Sequence, residues 1–147
     1  MFERILLAVD DSPLSAKAEA AAIELAAGLG ARLVVLHVVP DYPTSGFDGR
    51  LPQAPEDLSR KERDWHDRAR ALVDAVVAAA AERGVQAEGL LAHSDRVAES
   101  LVAGALKHGC HMIVMASHGR HGLQRVLLGS QTQAVLAHSP VPVLVLR

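Results

Sequence analysis

Five short runs of mainly apolar residues recur along the chain, and stretches with helical spacing separate them. The runs cover residues 5–9, 32–38, 85–92, 112–116 and 141–146. Short apolar runs of this kind are typical of strands that are buried on both faces of a parallel sheet. The order β-α-β-α-β-α-β-α-β therefore predicts an α/β fold, with a doubly wound five-stranded parallel sheet and helices on both faces.

Local signals mark where several of these elements begin. Ser12 can cap the first helix, and Pro13 is tolerated at a first helical position. Ser94 or Asp95 is predicted to cap the third helix in the same way. Pro142 lacks an N–H donor, so the last strand is predicted to lie at an edge of the sheet.

A long loop separates the second strand from the second helix. Residues 40–55 contain four prolines and two glycines, together with Tyr42 and Phe47. The composition is that of a loop rather than a domain linker, and loops of this length are often functional. We therefore consider this segment a candidate lid or a contact surface for another protein.

Composition narrows the function classes and the cellular setting. The 147 residues suit one domain, and the net charge of -2 with only 3% aromatic residues disfavours a nucleic-acid-binding surface. The N-terminus shows no signal-peptide pattern, and no apolar run reaches the roughly 18 residues of a membrane span. The single Cys110 excludes an internal disulfide and fits a reducing compartment. We expect a soluble, cytoplasmic protein that is not associated with membranes.

Ligands of open α/β sheets bind beyond the carboxyl ends of the strands, where the strand order reverses. The segments predicted to meet there are residues 8–12 and 115–122. The second segment leads from Gly119 through nine residues to Gly129 and Ser130, which open a helix. Glycine allows close approach of the backbone, and free N–H groups at a helix start attract phosphate. Arg120 and Arg125 add positive charge to the same region.

This pattern resembles the nucleotide-binding signature of universal stress proteins, which reads Gly, two residues, Gly, nine residues, then Gly-Ser or Gly-Thr. Ala116 stands at the first glycine here, followed by Gly119, Gly129 and Ser130. The first strand ending at Asp10 and the Pro-Val-Leu-Val tail match the family as well. The resemblance covers residues 1–147 as one universal stress protein domain. It implies a Rossmann-like fold similar to that of adenine nucleotide alpha hydrolases.

The resemblance also implies a bound adenine nucleotide, ATP, with Mg²⁺ held through the phosphates. Asp10 would contact the adenine or its ribose, Val38 would wall the adenine, and Met115 with Ala116 would line the ribose. The phosphates would lie at Gly119 and at the start of the last helix. The complete set implied for nucleotide contact is Ala8, Asp10, Val38, Met115, Ala116, Gly119, Gly129, Ser130, Gln131 and Thr132.

The family further implies a stress-response regulatory protein with at most slow ATP hydrolysis. It implies a homodimer joined by antiparallel pairing of the last strand, residues 141–146. No catalytic residues are assigned, because no nearby pair of carboxylates is arranged to hold magnesium and no Gly-x-x-x-x-Gly-Lys-Ser/Thr loop is present. Asp10 and Asp11 could contribute to a magnesium site only through the ligand.

Other interpretations of these residues remain open. Asp10 could only cap the first helix. Ala116 motivates an alternative in which the protein binds no nucleotide and acts through contacts with other proteins. An enzyme of the ATP-pyrophosphatase type is disfavoured, because residues 9–13 lack its Ser-Gly-Gly-x-Asp-Ser loop. No cluster of Cys or carboxylate residues completes a tetrahedral set of metal ligands with any of the eight histidines, so no metal site is predicted.

Overall fold

The computed structural model describes residues 1–41, 55–119 and 127–147. Predictions for Tyr42, Phe47, Arg120 and Arg125 concern residues outside the described ranges. Strands and helices alternate along the chain, which confirms the predicted order. The elements are β1 Arg4–Ala8, α1 Pro13–Leu29, β2 Arg32–Val39, α2 Pro55–Glu82, β3 Ala87–His93, α3 Val97–Lys107, β4 Met112–Ala116, α4 Ser130–His138 and β5 Val143–Leu146.

The described strands form one parallel sheet in the order β3-β2-β1-β4-β5. The prediction of a five-stranded parallel sheet is confirmed. β5 lies at an edge, as the missing N–H of Pro142 predicted, and the Pro142 carbonyl accepts a hydrogen bond from the Ile113 amide at 2.9 Å. β1 pairs with β2 on one side and with β4 on the other, so the strand order in the sheet reverses between β1 and β4.

Helices cover both faces of the sheet. α1 and α2 pack on one face, where their buried residues join Ile5 and Leu7 of β1. α3 and α4 pack on the other face, which includes Leu6. These three consecutive residues of β1 have no exposed surface, because successive side chains of a strand point to opposite faces and both faces are covered. The continuous apolar run of β1 has this physical cause.

The predicted start of α1 is confirmed. The Ser12 hydroxyl accepts a hydrogen bond from the Ser15 amide, and Pro13 is the first helical residue. Proline can stand there because the first amides of a helix have no partner within it. The start of α1 fixes the turn that leaves β1, which is the turn where a ligand was predicted.

The predicted cap of α3 is wrong. The helix begins after Arg96, and Arg96 makes no side-chain capping bond. The Asp95 carboxylate accepts instead from the Asp41 amide at 3.2 Å, while the Ser94 hydroxyl accepts from the Arg96 amide at 3.0 Å. Both candidate residues are therefore used in the turn that precedes the helix.

Candidate functional site

The loop after β1 and the loop after β4 touch at Asp10 and Gly119. A Cβ atom placed on Gly119 would lie 2.7 Å from the Asp10 Oδ2 atom. This distance is too short for two atoms that are not bonded, so a side chain at position 119 would have to displace the carboxylate. The two segments that the sequence analysis predicted to meet are therefore in contact, and glycine at position 119 is explained by that contact.

Asp10 is held in place by the start of α1. Its Oδ1 atom accepts a hydrogen bond from the Ser12 amide at 2.8 Å, and its own amide donates to the Ser15 hydroxyl at 3.1 Å. Ser12 rather than Asp10 is the cap of the helix. The carboxylate of Asp10 thus shapes the turn before α1, and its Oδ2 atom faces the loop after β4.

Ser15 links Asp10 to a second carboxyl group. The Ser15 hydroxyl donates to the Glu19 Oε1 atom at 3.1 Å, one helical turn further along α1. Burial raises the pKa of the Glu19 carboxyl above its ordinary value, the hydrogen bond from Ser15 opposes this rise, and the nearby Asp10 carboxyl adds to it. Sequence reasoning missed both residues; the only signal was a serine within the buried stripe of α1.

The start of α4 is tied to the end of β4. The Gly129 amide donates to the Ser117 carbonyl at 2.8 Å. The Thr132 hydroxyl is buried, and it lies 3.1 Å from the Ala116 carbonyl and 2.9 Å from the Ser117 carbonyl. These bonds bring the first turn of α4 beside the strand end, so the helix start lies next to the loop that contacts Asp10.

Gly129 caps α4 without a side chain. A Cβ atom on Gly129 would lie 3.3 Å from the His118 Cα atom and 3.4 Å from the Ser117 carbonyl oxygen, which is tight against main-chain atoms. The backbone of Gly129 is extended, with φ of -60°. Glycine is therefore favoured here by space rather than by backbone conformation. Ser130, the first residue of the helix, is exposed.

The Gln131 side chain lies against α3. Its Oε1 atom accepts a hydrogen bond from the Ala98 amide at 3.1 Å, near the start of α3. Amides in the first turn of a helix lack partners within it. Gln131 therefore supplies the capping acceptor that Arg96 does not provide, and its amide oxygen is engaged by the protein.

Ala116 occupies an ordinary strand position. It is the last residue of β4, and no non-glycine residue in the described ranges has a positive φ. The backbone at position 116 therefore does not require glycine. The side chain of Ala116 packs against the cluster beneath α1 and α2.

The remaining predicted residues divide between the two faces of the sheet. Ala8, Val38 and Met115 belong to the cluster beneath α3 and α4, whereas Ala116 belongs to the opposite one. Alternation along a strand produces this division. The side chains of Met115 and Ala116 therefore point to opposite faces of β4.

His37 and Ser117 also shape the strand ends, and sequence reasoning gave neither a role. The His37 Nδ1 atom lies 2.8 Å from the Val9 carbonyl oxygen. A carbonyl only accepts, so Nδ1 carries the hydrogen in this contact. Ser117 is buried, its amide donates to the Leu146 carbonyl at 2.7 Å, and its hydroxyl lies 3.1 Å from the His118 Nδ1 atom.

Within the described ranges, no three His, Cys, Asp or Glu side chains are grouped so that they could hold a metal ion. None of the helices, as far as they are described, combines the length and the apolar character that crossing a membrane requires.

The comparison with known proteins matches the whole chain to one family. The model of the universal stress protein family matches residues 1–147. A universal stress protein from Thermus aquaticus is 37% identical over 151 residues, which cover 100% of both chains. The crystal structure of a universal stress protein family member from Burkholderia pseudomallei is 32% identical, with a TM-score of 0.75 over 99% of this chain and 96% of that one.

Two more distant structures contain nucleotides. The universal stress protein from Archaeoglobus fulgidus in complex with dAMP has a TM-score of 0.67 and 20% identity, covering 100% of both chains. A universal stress protein in complex with cAMP has a TM-score of 0.66 and 21% identity, covering 99% of this chain and 97% of that one. At these identities the likeness shows the fold. From the match over residues 1–147 and the relative at 37% identity, this chain belongs to the universal stress protein family.

Proposed function

We propose that this protein binds an adenine nucleotide, ATP, and acts as a stress-response regulatory protein in the cytoplasm. The observation that carries the proposal is the contact between Asp10 and Gly119 beside the start of α4. This contact lies between β1 and β4, where open α/β sheets bind their ligands. The two nucleotide-bound family members support the choice of ligand, because dAMP and cAMP both contain adenine.

The chemistry of the first turn of α4 suits phosphate groups. The first main-chain amides of a helix lack partners within it, and the helix dipole favours negative charge at this end. In our proposal these amides and the Ser130 hydroxyl donate to the phosphates. Gln131 and Thr132 contribute through their main-chain amides, because the Gln131 oxygen and the Thr132 hydroxyl already bond to the protein. Mg²⁺ would be held through the phosphates.

The adenosine moiety would lie towards β1 and β2 in this proposal. Ala8, Val38 and Met115 share one face of the sheet and are the apolar residues near the strand ends on that face. Asp10 would accept from the base or the ribose through Oδ2, since Oδ1 is bonded to the Ser12 amide. Ala116 would contribute its main chain. We propose at most slow hydrolysis of ATP, because Asp10 is engaged in the turn before α1 and is poorly suited as a general base.

The proposal is tested by a charge placed at the start of α4. Ser130→Glu should leave the fold stable, since an acidic residue is favourable in the first turn of a helix. The added carboxylate should repel phosphates and weaken the binding of Mg²⁺-ATP at least about tenfold, measured by calorimetry. Ala137→Glu, at an exposed position near the other end of α4, is the matched control and should bind as the wild type does. A folded Ser130→Glu variant with unchanged affinity contradicts the placement of the phosphates.

The alternative is a family member that binds no nucleotide and acts through protein contacts, and Ala116 in the signature motivates it. Mass spectrometry of small molecules released from the purified, denatured protein separates the two. ATP or ADP in the released fraction, or micromolar affinity of about -8 kcal/mol, supports the nucleotide proposal. An empty fraction and no heat with Mg²⁺-ATP favour the alternative.

We also propose a homodimer in which β5 pairs with β5 of a second copy through residues 141–146. β5 lies at the sheet edge, and Leu144 is 39% exposed. The Pro142 and Leu146 carbonyls accept from β4, so the main-chain groups of Val145 face away from it. Val145→Pro should block pairing at this edge without removing a bond to β4. Light scattering of a folded variant should then give the monomer mass, and a dimer mass would mean another interface.

A further inference from the structure

Ser15 is a polar residue on the buried side of α1. Its side chain is 1% exposed and lies among the alanines that pack against the sheet. A buried hydroxyl is costly without hydrogen-bond partners. Ser15 has two, the Asp10 amide and the Glu19 carboxyl, each at 3.1 Å. The position of a hydroxyl here is therefore explained by these two groups.

The direction of both hydrogen bonds follows from the chemistry of the three groups. The Asp10 amide can only donate, and an ionised Glu19 carboxyl can only accept. The single hydrogen of the Ser15 hydroxyl therefore points to Glu19, and its lone pairs face the Asp10 amide. The result is a directed chain from Asp10 through Ser15 to Glu19, in which each bond polarises the other.

The Asp10 amide needs this partner because the chain has left the sheet. The Val9 amide still donates to the Leu36 carbonyl of β2 at 3.0 Å. At Asp10 the hydrogen bonds between strands have ended, and the Asp10 amide donates to the Ser15 hydroxyl instead of to a carbonyl of a neighbouring strand. Ser12 holds the carboxylate, whereas Ser15 holds the main chain, so two residues at the start of α1 fix different parts of Asp10.

We infer that Ser15 is a positioning residue of the candidate nucleotide site and that Glu19 orients its hydroxyl. Together they set the place of Asp10, the carboxylate that meets the loop after β4. The inference rests on the proposed function, since it concerns the affinity of the same site. The hydrogen bond from the Asp10 amide to the Ser15 hydroxyl does not depend on a ligand, so it can also be tested in the protein without nucleotide.

Glu19 acts as an acceptor in this inference, and its charge is not required. Burial and the Asp10 carboxyl both raise the pKa of Glu19, so its negative charge is disfavoured at this place. Glutamine keeps an acceptor oxygen of the same reach, whereas methionine keeps the length and loses the acceptor. Glu19→Gln and Glu19→Met are therefore a matched pair that separates the hydrogen bond from the packing of the side chain.

The test combines ligand binding with amide hydrogen exchange. Ser15→Ala should fold, because alanine favours the helix. It should weaken Mg²⁺-ATP binding by about tenfold, because the half-buried Asp10 amide loses its acceptor and Asp10 is held less firmly. In the protein without nucleotide, the Asp10 amide should exchange faster than in the wild type, while the amides within β4 keep their rates. Ser100→Ala, a half-buried helix serine of α3, is the control and should change neither reading.

The Glu19 pair gives the second reading. Glu19→Gln should keep both the affinity and the Asp10 amide exchange of the wild type, and Glu19→Met should shift both in the direction of Ser15→Ala. Wild-type exchange at Asp10 in Ser15→Ala overturns the inference, and so does an equal effect of Ser100→Ala. If the wild type binds no nucleotide, the proposed function fails, whereas the exchange rate at Asp10 still decides the inference.

Discussion

Replacing Thr132 by valine tests how the start of α4 is attached to the sheet. The Thr132 side chain is 2% exposed, and its hydroxyl lies 3.1 Å from the Ala116 carbonyl and 2.9 Å from the Ser117 carbonyl. Valine has nearly the same shape and no hydrogen to donate. Thr132→Val therefore removes the shared hydrogen bond and places a methyl group against two carbonyl oxygens.

The expected loss in the free energy of unfolding depends on which hydrogen bonds the two carbonyls keep in the variant. Leaving a buried polar group without its partner costs about 1–3 kcal/mol. The Ser117 carbonyl keeps the bond from the Gly129 amide at 2.8 Å, so it is not left without a donor. We therefore expect the lower part of the range, a loss of about 1–2 kcal/mol in the free energy of unfolding. For a chain of this size the loss lowers Tm by roughly 2–8 °C.

Urea unfolding followed by circular dichroism measures this loss as a lower midpoint at an unchanged slope. Thr132→Ser is the comparison, because it keeps the hydroxyl and loses only a methyl group. If the hydrogen bond matters, the valine variant is no more stable than the serine variant. A Thr132→Val protein that matches the wild type, or exceeds the serine variant, refutes the reasoning.

Three further predictions concern the neighbouring contacts. Gly119→Ala should push the Asp10 carboxylate aside, since its Cβ would lie 2.7 Å from Oδ2, and should weaken Mg²⁺-ATP binding about tenfold; wild-type affinity by calorimetry counts against this contact. Gln131→Leu should remove the acceptor of the Ala98 amide and destabilise the protein by about 0.5–2 kcal/mol, seen as faster exchange of that amide; an unchanged rate means that another group caps α3. Burial raises the pKa of Cys110 to about 11, so its reaction with a disulfide reagent at pH 8 should be far slower than that of free cysteine, and an equal rate would show an accessible thiolate.

The fold was predictable because its signals are local. Short apolar runs indicated buried strands, and the Ser12-Pro13 pair marked the first residue of α1. Pro142 placed β5 at an edge because it cannot donate to a second neighbour. Each of these inferences needs only the chemistry of a few adjacent residues. The strands, the start of α1 and the edge position of β5 are confirmed, whereas full burial holds for the centre of the sheet and not for the edge strands β3 and β5.

The cap of α3 was not predictable for the opposite reason. The acceptor near its first turn comes from Gln131, which is 33 positions away from Ala98 in the sequence. Ser94 and Asp95 have the chemistry of caps, yet they bond to the Arg96 and Asp41 amides. Local pattern reveals which residues can cap a helix, whereas the tertiary structure decides which helix they serve.

Position in the strand likewise separates two adjacent residues that the family resemblance places at the ribose. Met115 and Ala116 are adjacent in the sequence and were both expected at the ribose, yet they point to opposite faces of β4. The strand was predicted with its observed bounds, so its alternation was available from the sequence. The sequence did not show towards which face of the sheet the loop after each strand folds.

The residues of the candidate site fall into two groups, according to whether hydrogen bonds within the protein already engage their polar groups. Bonds within the chain engage the Gly129 amide, the Gln131 oxygen, the Thr132 hydroxyl and the Asp10 Oδ1 atom. In our proposal, the Ser130 hydroxyl, the Asp10 Oδ2 atom and the first amides of α4 are the groups that contact the nucleotide. Thr132→Val and Gln131→Leu should therefore change the free energy of unfolding, whereas Ser130→Glu should change the affinity for nucleotide. The two glycines belong with the first group, because contacts within the protein already explain them, so the presence of a signature glycine does not by itself indicate a ligand. In our proposal, the Ser130 hydroxyl and the Asp10 Oδ2 atom are therefore the groups that would distinguish a nucleotide-binding family member from one that only shares the fold.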